Sequence, residues 1–258
     1  RFHWAQIGHG GFAAHGDHWG DITVEALDGN IVFTGGDSID NSASRHNYAH
    51  LGHGANGEAA TTTIGNMGRA TDLILVTAQG NPLAGKGSIV FTGGGVNTSF
   101  AQIGNGGYFV TGNHSGAIEV RADGDIRFTG GTASTTYAQI GHGGRDSGST
   151  RSGSIEVESR HGDIVFTGGT AGATYAQLGH GGYNAAGNGS GSITVTAKEG
   201  AIRFLAGNAN TTAEIYAQLG HGGHVASSNN IGFSGNITVT AHGGGILFDA
   251  SVLGAQNL

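Results

Sequence analysis

Fourteen histidines stand in a chain with only eleven Lys plus Arg and no cysteine, so imidazole is the group to weigh first. Five of them, His9, His53, His142, His180 and His221, occupy one position of a recurring phrase, and Asn105 takes that position once. Imidazoles stacked one per repeat could respond to metal or to protons. Asn105 argues for the plainer reading, because an amide replaces imidazole as a hydrogen-bonding turn residue better than as a zinc ligand. The same phrase carries Gln6, Gln102, Gln139, Gln177 and Gln218, with His50 in the second copy. Stacked side-chain amides can hydrogen-bond along an axis, as they do in cross-β assemblies. Trp4, Tyr48, Phe100, Tyr137, Tyr175 and Tyr216 form an aromatic column that could bind sugars. Its persistence in every copy favours stacking stabilisation instead. All three columns are therefore expected to be structural ladders.

Other groups offer less. Glu119 and Glu156 fall in one column of adjacent copies, and paired acids can hydrolyse glycosides. Such a site needs acids and basic groups converging where the repeat breaks. Only the second copy breaks strongly, and its insertions, Asn56 to Arg69 and Asn81 to Lys86, hold one Glu, one Arg and one Lys. His15, Asp17 and His18 could hold a metal, but a solvated loop is the plainer reading. The threonines Thr34, Thr92, Thr129 and Thr167 would suit an ice-binding face, yet the column ends in Leu205 and Asp249. GHGG has no following Lys-Ser/Thr and opens no helix, so it is no phosphate loop. The expectation is no catalytic residue, no cofactor and no metal.

These residues sit within a repeat. WAQIGHGG from Trp4 returns as YAHLGHGA from Tyr48, FAQIGNGG from Phe100, YAQIGHGG from Tyr137, and YAQLGHGG from Tyr175 and Tyr216. A second phrase follows each, as in GDITVEA at Gly20 and GSIEVES at Gly153. A third comes next, as in GNIVFTGG at Gly29 and GDIVFTGG at Gly162. Copies begin near residues 4, 48, 100, 137, 175 and 216, giving repeats 4–47, 48–99, 100–136, 137–174, 175–215 and 216–258 in one array. Periods near forty residues point to a solenoid or a propeller.

Each phrase reads as a short strand. Ile155 and Val157 lie two apart and share a face. Between them the column accepts Thr23, Leu75, Glu119, Glu156, Thr194 and Thr238, so it faces solvent. In the third phrase Ile31, Ile89, Ile126, Ile164, Ile202 and Ile246 pair with Phe33, Phe91, Phe128, Phe166, Phe204 and Phe248 on the core side. Period 2, β-branching and dense glycine disfavour helix. Nine residues separate Ile155 from Ile164, which fits a hairpin or a solenoid corner. Three strands per copy, against the four of a propeller blade, favour an all-β parallel β-helix, or β-solenoid, of six imperfect repeats with one coil each. A two-coil repeat stays open, since 38 is twice 19. Length varies mostly between the first and second phrases, for example Gly144 to Ser152, so those loops are expected on one corner, where they could form a binding face.

Composition narrows the partners. There are 53 glycines without a three-residue period and a single proline, which excludes collagen. Hydrophobic residues make 37% of the chain and charged ones 11%, which does not suit disorder. The net charge of −7 argues against nucleic acid, and the lack of a long apolar run against membrane insertion. Residue 1 opens directly into a repeat and no signal peptide is visible.

Strand pairs such as GSITVTAKEGAIRF, from Gly191, and GDITVEALDGNIVFTGG, from Gly20, resemble the repeats of filamentous haemagglutinin-type adhesins. The resemblance covers the second and third phrases throughout. It implies a right-handed parallel β-helix exported by two-partner secretion, extracellular or on the bacterial surface. It further implies a fibre used in adhesion, biofilm or surface-layer assembly. It carries over no catalytic residue. The alternative is a carbohydrate-binding or polysaccharide-degrading β-helix, with surface glycans as partners. Neither end bears an obvious polar cap, and Ala255 to Leu258 reads as another phrase starting. The expected partner is thus a second copy, end to end, or further chain of the same kind.

Overall fold

The computed structural model describes residues 3–37, 47–57, 63–148, 150–208, 214–225 and 232–250. The closing residues Ala255 to Leu258 lie outside these. The chain winds as six coils, one per repeat, into a parallel β-solenoid. Each phrase pairs with its counterpart in the next coil, residue on equivalent residue. Phe100 meets Tyr137 and Tyr137 meets Tyr175, Ile118 meets Ile155, and Ile126 meets Ile164.

Three six-stranded parallel sheets result. Sheet I holds the first phrase: Trp4–Ile7, Tyr48–Leu51, Phe100–Ile103, Tyr137–Ile140, Thr174–Leu178 and Ile215–Leu219. Sheet II holds the second: Ile22–Ala26, Leu73–Ala78, Ala117–Ala122, Ile155–Ser159, Ile193–Ala197 and Ile237–Ala241. Sheet III holds the third: Ile31–Thr34, Ile89–Thr92, Ile126–Thr129, Ile164–Thr167, Ile202–Leu205 and Ile246–Asp249. The short link between sheets II and III is a corner, not a hairpin, since every pairing is between coils.

Three smaller parallel sheets lie between the first and second phrases. One stacks Gly10–Phe12, Gly54–Asn56, Gly106–Tyr108 and Gly143–Arg145. A second pairs Thr63–Ile64 with Val110–Thr111, and a third stacks His114–Ser115, Arg151–Ser152, Gly189–Ser190 and Phe233–Ser234. The segment from Gly144 to Ser152, Ser149 aside, is therefore stacked wall rather than a free loop. Bridges Thr111–Gly148 and Gly148–Ala186 continue its register. Apolar alternation could not announce these strands, because glycine-rich backbone pairs here without it. The Asn81 to Lys86 insertion forms a 3₁₀ turn, Pro82–Ala84, capped by Asn81 and tied to Asp28 through Lys86 at 2.7 Å.

Two compartments run the length of the rod, one on each side of sheet I. Strands Tyr48–Leu51, Phe100–Ile103 and Tyr137–Ile140 are buried at every position. Their second and fourth side chains (Ala101, Ile103, Ala138, Ile140) join the inward residues of sheets II and III in an apolar core. There the phenylalanine column stacks at 4.6–5.1 Å, and Phe91, Phe128 and Phe166 are fully buried. The first and third side chains (Phe100, Gln102, Tyr137, Gln139) enter a second compartment closed by the glycine-rich segments and the short strands.

The outer columns behave as patterned. Thr23 and Thr238 are exposed, and Glu119 and Glu156 half-exposed. Val165 is covered, being paired between Arg127 and Arg203, whose alkyl stems can lie across it.

Candidate functional site

The second compartment gathers the residues with chemical potential, and its glycines explain how. Gly8, Gly52, Gly104, Gly141 and Gly179 follow the first phrase with φ of +136° to +155°. A Cβ on any of them would overlap the carbonyl oxygen of the equivalent glycine one coil on. Glycine is thus required both by conformation and by close approach of the backbone. That approach brings carbonyls within reach of the glutamine column. Gln102 Nε2 donates to Gly141 and Gly143 O at 3.0 and 3.3 Å, and Gln139 Nε2 to Gly179 and Gly181 O at 3.0 and 3.1 Å. Gln177 Nε2 donates to Gly220 and Gly222 O, both at 3.2 Å, and Gln6 Nε2 to Gly52 and Gly54 O. His50 does the same with one bond, to Gly104 O at 2.7 Å. The amides run along the axis as expected, but they bind backbone rather than one another. In this parallel stack the neighbouring glycine carbonyls are nearer partners than the next amide.

The histidine column is a relay of the same kind. His9 N–H donates to His53 Nδ1 at 3.1 Å, and His53 N–H to Asn105 Oδ1 at 2.9 Å. Asn105 N–H donates to His142 Nδ1 at 2.9 Å, His142 N–H to His180 Nδ1 at 3.0 Å, and His180 N–H to His221 Nδ1 at 3.1 Å. A backbone N–H can only donate, so each Nδ1 must be the acceptor and each Nε2 must carry the proton. Nε2 accordingly donates to a glycine carbonyl: His53 to Gly20, His142 to Gly116, His180 to Gly153 and His221 to Gly191, at 2.8–3.0 Å. Asn105 reproduces both halves, its Nδ2 donating to Ser115 O at 2.9 Å. Both nitrogens of these imidazoles are engaged, so no lone pair remains for a metal. Rings stack at 4.8 Å between His142 and His180 and between His180 and His221.

Burial holds these imidazoles neutral. His50 and His142 are pushed down to about 4 by desolvation, and His53, His180 and His221 lie below the usual histidine value for the same leading reason. The aromatic column stands beside them, rings parallel at 4.9–6.1 Å from Trp4 to Tyr216. Tyr48, Phe100, Tyr137 and Tyr175 are buried, so the middle of this column offers no sugar-binding face; Trp4 at one end is exposed and Tyr216 at the other is partly buried.

The remaining candidates separate. Glu119 and Glu156 are register partners, and Arg121 approaches them at 2.8 and 3.6 Å. Asp17 Oδ1 accepts from Asn66 N–H and His15 Nδ1 from Ile64 N–H, while His18 bridges to Met67. The side chains of His15 and Asp17 serve the next coil, and His18 pairs with it through its backbone, so the three form no common centre. Among the described residues no group of three or more His, Cys, Asp or Glu could hold a metal. A shallow polar groove of about 380 Å³ lies over sheet II, bounded by Glu25, Arg121, Asp123, Glu158 and Arg160.

One column was not foreseen. His114 and Arg151 are fully buried at the start of the third short sheet, in register with Met67, Gly189 and Phe233. Arg151 donates to the carbonyls of Ser147 and Ala186 and, among the described residues, meets no carboxylate. Desolvation lowers it to about 10, and its charge adds to the burial that holds His114 well below the usual histidine value. The recurring x-Ser-Gly before the second phrase (His114, Arg151, Gly189, Phe233 at x) is the sequence signal for this column. Compared with known proteins, the chain matches no family model, no curated protein and no solved structure.

Proposed function

We propose that the chain is a rod segment of a large secreted or cell-surface bacterial fibre of the filamentous haemagglutinin type, acting as a scaffold in adhesion or biofilm rather than as an enzyme. The observation that carries this reading is the unbroken register of the six coils. Nearly every group with catalytic potential is spent on holding one coil to the next. The imidazoles of His53, His142, His180 and His221 are bonded at both nitrogens, and four outer carboxylates are ion-paired: Asp125 with Arg127, Asp123 with Arg160, Glu158 with Lys198 and Asp163 with Arg203. Each such surface pair contributes only ~0–1 kcal/mol. A stiff, chemically quiet spacer needs these properties.

Antibody labelling of intact and permeabilised producing cells tests the reading. Label on intact cells or in the medium is expected; label only after permeabilisation contradicts it. The groove over sheet II keeps a carbohydrate-binding reading in view. A glycan array with reproducible hits lost in Arg160→Ala would replace the scaffold reading with that one.

A further inference from the structure

The column of His114 and Arg151 puts ionisable groups where packing does not require them. Its position in successive coils is held by His18, Met67, His114, Arg151, Gly189 and Phe233. Met67 is fully buried there, so an unbranched apolar side chain fits the space. In coils 3 and 4 that space holds an imidazole and a guanidinium, fully buried and paired in register. Arg151 Nη2 donates to the Ser147 and Ala186 carbonyls, and its Nε has no hydrogen-bond partner among the described residues. The ionisable groups facing the pair are His50, His142, His180 and Tyr175. None of these is negative at neutral pH. Asp146, in the same segment as Arg151, already pairs with Arg145 at 3.0 Å. A buried charge without a counter-charge persists only while its neighbours stay neutral.

Two protons would end that neutrality, and both act at the joint between coils 3 and 4. On His114 a proton places a second cation beside Arg151. On His142 Nδ1 it turns the acceptor of the Asn105 N–H, at 2.9 Å, into a donor facing a donor. At the joint between coils 5 and 6 the column holds Gly189 and Phe233, which carry no charge, and the relay step is His180 N–H to His221 Nδ1. We propose that the joint between coils 3 and 4 is an acid-operated release point, where the bonded compartment opens before that of coils 5 and 6 while the apolar core of the same coils stays closed. Imidazoles held neutral beside a cation take up a proton less readily closed than opened. Opening therefore binds protons and is favoured as pH falls below about 6.5. This is a property of the joint, whatever the rod is used for, and a joint that stays shut in acid leaves the scaffold reading as it stands.

The test is amide hydrogen exchange of the 258-residue chain at pH 7.5 and pH 5, corrected for the intrinsic pH dependence of exchange. Residues 104–118 report the joint between coils 3 and 4, and residues 179–191 the joint between coils 5 and 6. Residues 126–129 and 164–167 report the apolar core of coils 3 and 4. On acidification residues 104–118 are expected to lose at least about tenfold more protection than residues 179–191, each additional imidazole adding roughly tenfold per pH unit. The core strands are expected to keep theirs. Two variants place in the column the residue that coil 2 already buries: His114→Met, and His114→Met with Arg151→Met. Circular dichroism at pH 7.5 checks that each is folded. The excess is expected to shrink in the single variant and to fall within about threefold of parity in the double one. If the double variant does not fold, the single variant decides. Equal loss at the two joints of the unmodified protein overturns the proposal. So does equal loss in the core strands, or an excess that the folded variants retain in full.

Discussion

The two compartments of the rod share one sheet and differ in what holds them. On one side of sheet I, Ile126, Phe128, Ile140 and Val157 fill an apolar column whose contacts are undirected. On the other, Gln139, His142 and Asn105 are equally buried, and each makes hydrogen bonds that name a specific partner one coil away. Apolar burial supplies most of the stabilisation, at roughly 25 cal/mol per Å². It does not by itself fix register, because a slip of two residues still leaves apolar side chains inside. The bonded compartment penalises any slip, since it would leave buried donors and acceptors without partners. The comparison teaches a division of labour: one side provides stability, the other specifies which residue sits on which.

Substitutions on the two sides should then fail differently. The largest effect is expected from Gly141→Ala, whose Cβ would overlap Gly179 O at a φ of +149°. A loss of about 4 kcal/mol or more is expected, seen as a collapsed urea midpoint. Phe128→Ala, in the apolar column, is expected to cost about 3–5 kcal/mol while amide NMR shifts in distant coils stay native. Next, His142→Leu strands the Asn105 N–H and the Gly116 carbonyl, at about 2–4 kcal/mol. His142→Asn should recover most of this, because Asn105 already performs both bonds in coil 3. If the leucine and asparagine variants melt alike, the relay contributes nothing specific.

Acid should act on the bonded side alone. A buried neutral imidazole has a folded value below its unfolded one, so the unfolded chain binds the extra proton first. Stability is full above about pH 6.5 and is expected to fall as pH drops through the window down to about 4, where His50 and His142 titrate in the folded rod. The slope is on the order of 1.4 kcal/mol per pH unit for each such group. His142→Asn should make the slope shallower; Phe128→Ala should not change it. The smallest effect concerns a turn. Ala13, Phe109, Asp146, Asn184 and Val225 share φ near +52°. The exposed Val225 is the least suited of these, being β-branched. Val225→Gly is expected to raise stability by about 0.5–1 kcal/mol in urea melts, the relief of the strained backbone exceeding the entropy glycine adds to the unfolded chain.

The apolar side was legible in the sequence and the bonded side only partly so. Ile and Phe two apart in the third phrase, with Val32, Arg127 or Arg203 between them, announce one face in and one face out. The columns at His142, Gln139 and Tyr137 were visible as columns, and Asn105 pointed to hydrogen bonding. Their burial on a second face was not read, although the first phrase carried the signal: none of its columns admits Lys, Arg, Asp or Glu. The partners of Gln139 and His142 could not be read at all, because they are backbone groups, of glycines and of Asn105, and no residue type encodes them. The column of His114 and Arg151 was obscured by the unequal lengths of the segments before it.

The central claim is that equivalent residues of successive coils lie one above another along a straight axis. The chain has no cysteine, so pairs of spin labels can be placed on the outer column of sheet III without background. Val32 paired in turn with Val165, Arg203 and Leu247 samples three, four and five coils. Pulsed electron–electron distances are expected to lengthen evenly, by about 4.8 Å per coil, to roughly 24 Å for the last pair. Distances that stop growing, or shorten again at Leu247, would mean a ring or a folded-back ribbon and would contradict the stacked rod.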